Sequence, residues 1–343
     1  MEIKDSVLSI ADNYEAFFVD IYGVLYDGVG LYNQTLATME ELKAMGKKIV
    51  LLSNLTLIAE EAKIKYARMN MVQETHYDEI VTSGEFLRRV IENRPNEFTK
   101  LIGDKIETYK CLFMANTALF EETDIRETDA VDADFIYVGL PRASYGAVRI
   151  DDVYDSSTGR KIDIDQVVNS DWHNVQDSRG RKGLLEYAIQ LEACLHMNKT
   201  LLISNPDIFS RSSQKSSDQP AAIITQGGIG AYYEKLGGKV AYFGKPYTGI
   251  FQYARKLINC DGAILMVGDS PWTDIIGAND CGIDSALTLE TGMPDEFFKE
   301  MNGSISIDEK CRLLLEEITP RMTKVAGDAR PKYFLKRFAS KRR

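Results

Sequence analysis

Four places in this chain end a short apolar run with residues able to do chemistry. Asp20 closes EAFFVD, Ser53 and Asn54 close KKIVLLSN, Lys245 stands in GKP directly after VAYF, and Asp269, Ser270 and Asp274 follow AILMV in GDSPWTD. If these runs are parallel strands of one open sheet, all four lie beyond carboxyl ends, where the ligands of such sheets collect. Together they supply a nucleophilic carboxylate, hydroxyl and amide donors, a cation, and a pair of acids whose hard oxygens suit Mg²⁺. Phosphoryl transfer needs this equipment, because most of its catalysis is the placement of charge around a phosphoryl group. Singly, each has a plainer explanation: Ser53 or Asp269 as a helix cap, Lys245 as a solvated strand-end lysine, Asp20 as a turn aspartate. Four in order, all at strand ends, make coincidence a poor account.

The elements that must position them follow a βαβα rhythm. A strand runs to Asp20, a helix covers 34–45, a strand ends at Asn54 and a helix covers 57–69. Gly46 stands where a helix C-cap glycine belongs, and 49–52 is apolar on all sides, as in a strand buried on both faces of a parallel sheet. The rhythm returns late, with strands at 221–225, 240–243 and 263–267 and helices near Ala231, over 249–258 and after Thr273. Between these halves the pattern changes to the strands CLFMA and DFIYVGL, a polar stretch at 151–179 read as a long loop with a hairpin, and a helix over 182–197. The pattern predicts an α/β protein: a Rossmann-like parallel sheet with helices on both faces, formed by 1–84 and 201–330. An α/β domain is inserted at 85–200, and a basic tail follows at 331–343.

Composition bounds the function. A chain of 343 residues suits about two domains, and 44% hydrophobic with 27% charged residues excludes disorder and fibres. The formal charge of −10 makes a poor general nucleic-acid binder. No apolar run approaches the ~20 residues of a membrane span, and the N-terminal segment lacks the basic start and apolar core of a signal peptide, so a cytoplasmic protein is expected. Five scattered cysteines with no C-x-x-C spacing argue against disulfides or zinc. There is no P-loop, and GGIGAYY at 227–233 lacks the third glycine of a dinucleotide loop. The tail sets Phe334, Leu335 and Phe338 at helical spacing among six basic residues. Such a segment could meet an acidic partner or an anionic surface, though packing on its own acidic body or simple solvation is the more ordinary outcome.

The four motifs DIYGVLYDG, LLSN, GKP and GDSPWTDIIGA resemble those of the haloacid dehalogenase superfamily, over about residues 14–84 and 201–290. The resemblance implies that Asp20 attacks phosphorus to form an aspartyl-phosphate and that Ser53, with Asn54, meets the phosphoryl group. It implies that Lys245 neutralises charge and that Asp20, Asp269, Asp274 and the backbone carbonyl of Tyr22 hold Mg²⁺. Asp20 and Ser53 are 33 positions apart, whereas Ser53 and Lys245 are separated by about 190, so the inserted domain lies between the second and third motifs. With ISNPD at 203–207, read as the return to the core, this resembles subgroup IIA, the phosphatases of nucleotide and p-nitrophenyl phosphate type with an α/β cap. That resemblance implies a cap that selects a small phosphorylated metabolite, and the cap offers a surface for a homodimer.

One position departs from the family pattern. The second Asp of the first motif, the general acid and base, is replaced by Tyr22. A tyrosine of pKa ~10 is a poor base near neutrality, and losing such a group commonly costs ~10²–10⁴-fold. Activated substrates such as acyl or aryl phosphates would suffer less. Asp207 could substitute for the missing acid, or Pro206 beside it could simply make a rigid turn. Two alternatives remain: a phosphometabolite-binding protein with little or no turnover, and a dehalogenase-like hydrolase. The retained GDSPWTD acids and the short spacing between the first two motifs argue against the latter.

Overall fold

The structure is a computed structural model that describes residues 2–103, 108–114, 118–121, 123–139, 153–160, 170, 172–177, 183–212, 221–299, 305–318 and 325–339. The chain divides into two compact units, Met1–Ser83 with Gly244–Arg343, and Gly84–Phe243.

The first unit is built on a seven-stranded sheet. Its strands are β1 (Glu2–Lys4), β2 (Ala16–Val19), β3 (Lys48–Ser53), β4 (Glu79–Thr82), β14 (Ile264–Gly268), β15 (Asp284–Thr288) and β16 (Tyr333–Leu335). They run in the order β1-β16-β15-β14-β2-β3-β4, every pair parallel. β2 and β14 are buried along their whole length, which is why both read as continuous apolar runs rather than alternating ones. The chain steps outward from β2 to β3 and β4, and in the other direction from β14 to β15 and β16. The order therefore reverses between β2 and β14, and such a reversal opens a crevice beyond the strand ends.

The second unit holds a five-stranded parallel sheet in the order β13-β10-β7-β5-β6. Its strands are β5 (Lys110–Met114), β6 (Arg126–Glu127), β7 (Phe135–Val138), β10 (Thr200–Ile203) and β13 (Lys239–Tyr242). Two antiparallel pairs join β8 (Val153–Asp155) with β9 (Val175–Asp177), and β11 (Phe209–Ser212) with β12 (Ala221–Ile224). The first pair supplies the hairpin expected in 151–179; the rest of that loop lies mostly outside the described residues. A separate core forms here, with Trp172 fully buried and stacked on Tyr232 at 4.1 Å between ring centroids.

Two sequence expectations need correction. The return to the first unit comes at Gly244, not 201: β10 and β13 pair within the second sheet, and β12 pairs antiparallel with β11. An apolar run reports burial, and nothing local tells which of two parallel sheets will bury it. The basic segment packs on the acidic body over its described residues 331–339, the more ordinary of its expected outcomes, but as a strand and not with helical spacing. Residues 333–335 form β16 between β1 and β15, with Tyr333 and Leu335 facing one apolar cluster and Phe334 the other. That alternation is the period of a strand rather than a helix. Three of its basic residues pair with the body, Lys332 with Asp284 at 2.6 Å, Lys336 with Asp5 at 2.6 Å, and Arg337 with Glu290. Among the described residues no helix is long and apolar enough to cross a membrane.

Candidate active site

Parallel register places the reactive residues. Val19 pairs with Val267 on one side and Leu51 on the other. Asp20 follows Val19 directly, with its backbone N–H donating to the Val267 carbonyl at 2.9 Å. Asp269 stands two residues beyond Val267 and one past the end of β14, and Ser53 is the last residue of β3, so all three lie at the carboxyl ends at the point of reversal. Lys245 opens the turn before the helix Thr248–Ile258. Asp274 sits in the turn Pro271–Ile275, which Ser270 caps by accepting the Thr273 N–H at 3.2 Å.

The Lys245 ammonium lies 2.7 Å from Asp20 Oδ1 and 2.6 Å from Asp274 Oδ1. Asp274 Oδ2 accepts the backbone N–H groups of Asp269 and Ser270, each at 3.1 Å. Asp269 Oδ2 accepts the Met293 N–H at 2.8 Å. Asp20, Asp269 and Asp274 each present an oxygen within 4.8 Å of the others, a spacing that could hold a metal ion. Ser53 and Asn54 are nearly buried at the end of β3. The Asn54 amide is turned onto the Lys245 backbone, donating to its carbonyl at 2.9 Å and accepting from its N–H at 2.7 Å. Tyr22 is the exposed member, its ring edge-on to Tyr26 at 6.4 Å. Asp207 lies in the second unit, where Asn205 accepts its N–H at 2.9 Å; the cluster around Asp20 draws on the first unit alone.

The charges do not balance. Burial, with the charge of Asp274, pushes Asp20 up to about 7 against the pull of Lys245. Burial and the charges of Asp20 and Asp274 push Asp269 well above the usual carboxylate range. Burial opposes the charge on Lys245, but Asp20 and Asp274 outweigh it and hold the ammonium above the ordinary lysine value. Three carboxylates around one ammonium leave an excess of negative charge, and hard oxygens with such an excess fit a divalent cation such as Mg²⁺.

Several parts of the site carry no side-chain chemistry and escape a reading by residue type. Gly23 (φ +85°) and Gly292 (φ +63°) flank the Asp269 carboxylate, and a Cβ on either would fall 2.0 or 2.2 Å from its Oδ2. The Met293 N–H and the Tyr32 hydroxyl, which accepts the Gly292 N–H at 3.3 Å, hold the same loop. The available signal was LETGM at 289–293, the end of one more buried strand.

Comparison with known proteins agrees with this geometry. Residues 17–124 match a family model described as haloacid dehalogenase-like hydrolase, and residues 242–296 match a second, HAD-hydrolase-like model. No curated protein sequence matches the chain. Among solved structures, a haloacid dehalogenase-like hydrolase from Brucella suis 1330 is 19% identical, with a TM-score of 0.64 over 98% of this chain and 99% of that one. A possible sugar phosphatase from Cytophaga hutchinsonii is 18% identical, with a TM-score of 0.65 over 99% of each. A glycerol phosphate phosphatase from Mycobacterium tuberculosis, solved with magnesium, is 16% identical, with a TM-score of 0.58 over 95% of this chain and 76% of that one. The first family match spans Asp20 and Ser53 and the second spans Lys245, Asp269 and Asp274, so the stretches that carry the four strand-end motifs are similar in sequence to haloacid dehalogenase-like hydrolases, and the chain shares the fold of these solved structures.

Proposed function

We propose that this protein is a cytosolic, Mg²⁺-dependent phosphohydrolase of subgroup IIA, acting on a small phosphorylated metabolite with Asp20 as nucleophile. The observation that carries the reading is the Lys245 ammonium shared between Asp20 and Asp274 beside Asp269, at the reversal of a parallel sheet. The fold shared with a possible sugar phosphatase and with a glycerol phosphate phosphatase solved with magnesium supports it. Asp20, Asp269, Asp274 and the Tyr22 carbonyl are the groups proposed to hold Mg²⁺, which when bound neutralises phosphoryl oxygens.

In this reading an Asp20 oxygen attacks phosphorus as the bond to the leaving group breaks, and water then cleaves the aspartyl-phosphate. Lys245 holds positive charge against the phosphoryl oxygens, and Ser53 donates its hydroxyl to them. Tyr22 replaces the acid that would protonate a poor leaving group, so the reading favours acyl and aryl phosphates over alkyl esters. Phosphate release from acetyl phosphate and p-nitrophenyl phosphate tests it: turnover with Mg²⁺ should vanish with EDTA and in Asp20→Asn. Turnover equal to the native rate in Asp20→Asn would remove Asp20 as nucleophile. Tyr22 also favours a second reading, a phosphometabolite-binding protein; calorimetry would then show Mg²⁺-dependent binding with no phosphate released.

A further inference from the structure

We propose that Asn54 is a positioning residue whose side-chain amide sets the backbone of Lys245; its catalytic consequence rests on the phosphohydrolase reading above. The two residues are 191 positions apart, yet Asn54 Nδ2 donates to the Lys245 carbonyl at 2.9 Å and Asn54 Oδ1 accepts the Lys245 N–H at 2.7 Å. A primary amide offers a donor and an acceptor side by side, as a peptide group does. Two such bonds to one residue fix both its place and its orientation, which a single bond would not.

The clamp has a reason to be there. Lys245 follows Gly244, the first residue of the chain's return to the first unit. Its ammonium sits on a flexible four-carbon stem and must meet Asp20 at 2.7 Å and Asp274 at 2.6 Å while only 2% of the residue is exposed. Both Asn54 bonds are buried. Without them, an N–H and a carbonyl of Lys245 would lose these partners in a place water does not reach, and the turn would shift to satisfy them. Asn54 thus ties the end of β3 to the turn that carries the lysine. The sequence reading gave it a substrate contact; here the amide oxygen and one amide N–H are already committed to Lys245.

Lysine acetylation by acetic anhydride, read residue by residue from peptide masses, tests this without requiring turnover. Lys245 should be protected in the native protein and modified about tenfold faster in Asn54→Ala, a ratio set by loss of one fixed geometry. In Asn54→Asp, which keeps an acceptor for the Lys245 N–H, modification should fall between the two, and this variant carries the test if Asn54→Ala does not fold. With p-nitrophenyl phosphate, kcat should drop about 10²-fold in Asn54→Ala with little change in KM, as for a misplaced catalytic group. Native-like protection of Lys245 in a folded Asn54→Ala protein would overturn the proposal. So would a raised KM with unchanged kcat, the signature of a substrate contact. A native protein that releases no phosphate above Asp20→Asn fails the phosphohydrolase reading alone, and the acetylation pattern then decides the clamp.

Discussion

At Asp20 the ion pair with Lys245 and the burial among two further acids pull in opposite directions, and burial wins. A carboxylate whose folded pKa is raised contributes stability that is fully present below its unfolded value and is lost as pH rises through the folded one. Without metal, the Asp20 contribution should therefore disappear between about pH 4 and about 7. Melting temperatures of native protein and Asp20→Asn in EDTA should diverge over that window, with the native protein losing ground as pH rises. A difference that is flat with pH would contradict the raised value. The cation proposed for the site should add more stability at pH 8 than at pH 5, since it binds the ionised acids. At the neighbouring Tyr22, Tyr22→Asp should raise the hydrolysis of alkyl phosphates by about 10²–10⁴-fold, measured on a sugar phosphate; no gain would show that the leaving group is not limiting. These residues were legible because each sits at the end of an apolar run. The Met293 N–H and the Tyr32 hydroxyl were not, because a backbone donor has no residue-type signal and Tyr32 reaches Gly292 across 260 positions.

At the scale of elements, the turns beyond β2 and β15 are shaped around one carboxylate. Gly292 combines a left-handed backbone with a hydrogen where a Cβ would strike Asp269, so Gly292→Ala should cost more than the ~1 kcal/mol of a backbone effect alone. It should also weaken Mg²⁺ binding in calorimetry; native affinity in that variant would show that the loop adjusts. At the other end of the sheet, β16 is a strand that the sequence presents as a charged tail. Phe334 is 1% exposed within its own apolar cluster, and Phe334→Ala should lower stability by about 3–5 kcal/mol in urea unfolding. A solvated tail would show no change. Period alone does not decide here: three apolar residues in five positions satisfy a helix or a strand, and only the neighbours β1 and β15 choose between them.

At the scale of the molecule, two units each bury their own core, and the acidic cluster belongs wholly to the first. Trp172→Ala should then destabilise the second unit by about 3–5 kcal/mol while leaving Mg²⁺ affinity unchanged; lost metal binding would break that independence. The sequence alone determined the α/β class, the apolar strands and the order of the strand-end residues, because these depend on local alternation and on the chemistry of single side chains. It left open which sheet claims each strand, since a run such as VAYF at 240–243 is apolar wherever it is buried. Only the tertiary structure decided that β13 joins the second sheet, that residues 333–335 complete the first, and that Asn54 faces Lys245. Each of those outcomes depends on pairing between segments far apart in the chain, where hydrogen-bond register and packing choose among placements that local sequence leaves equal.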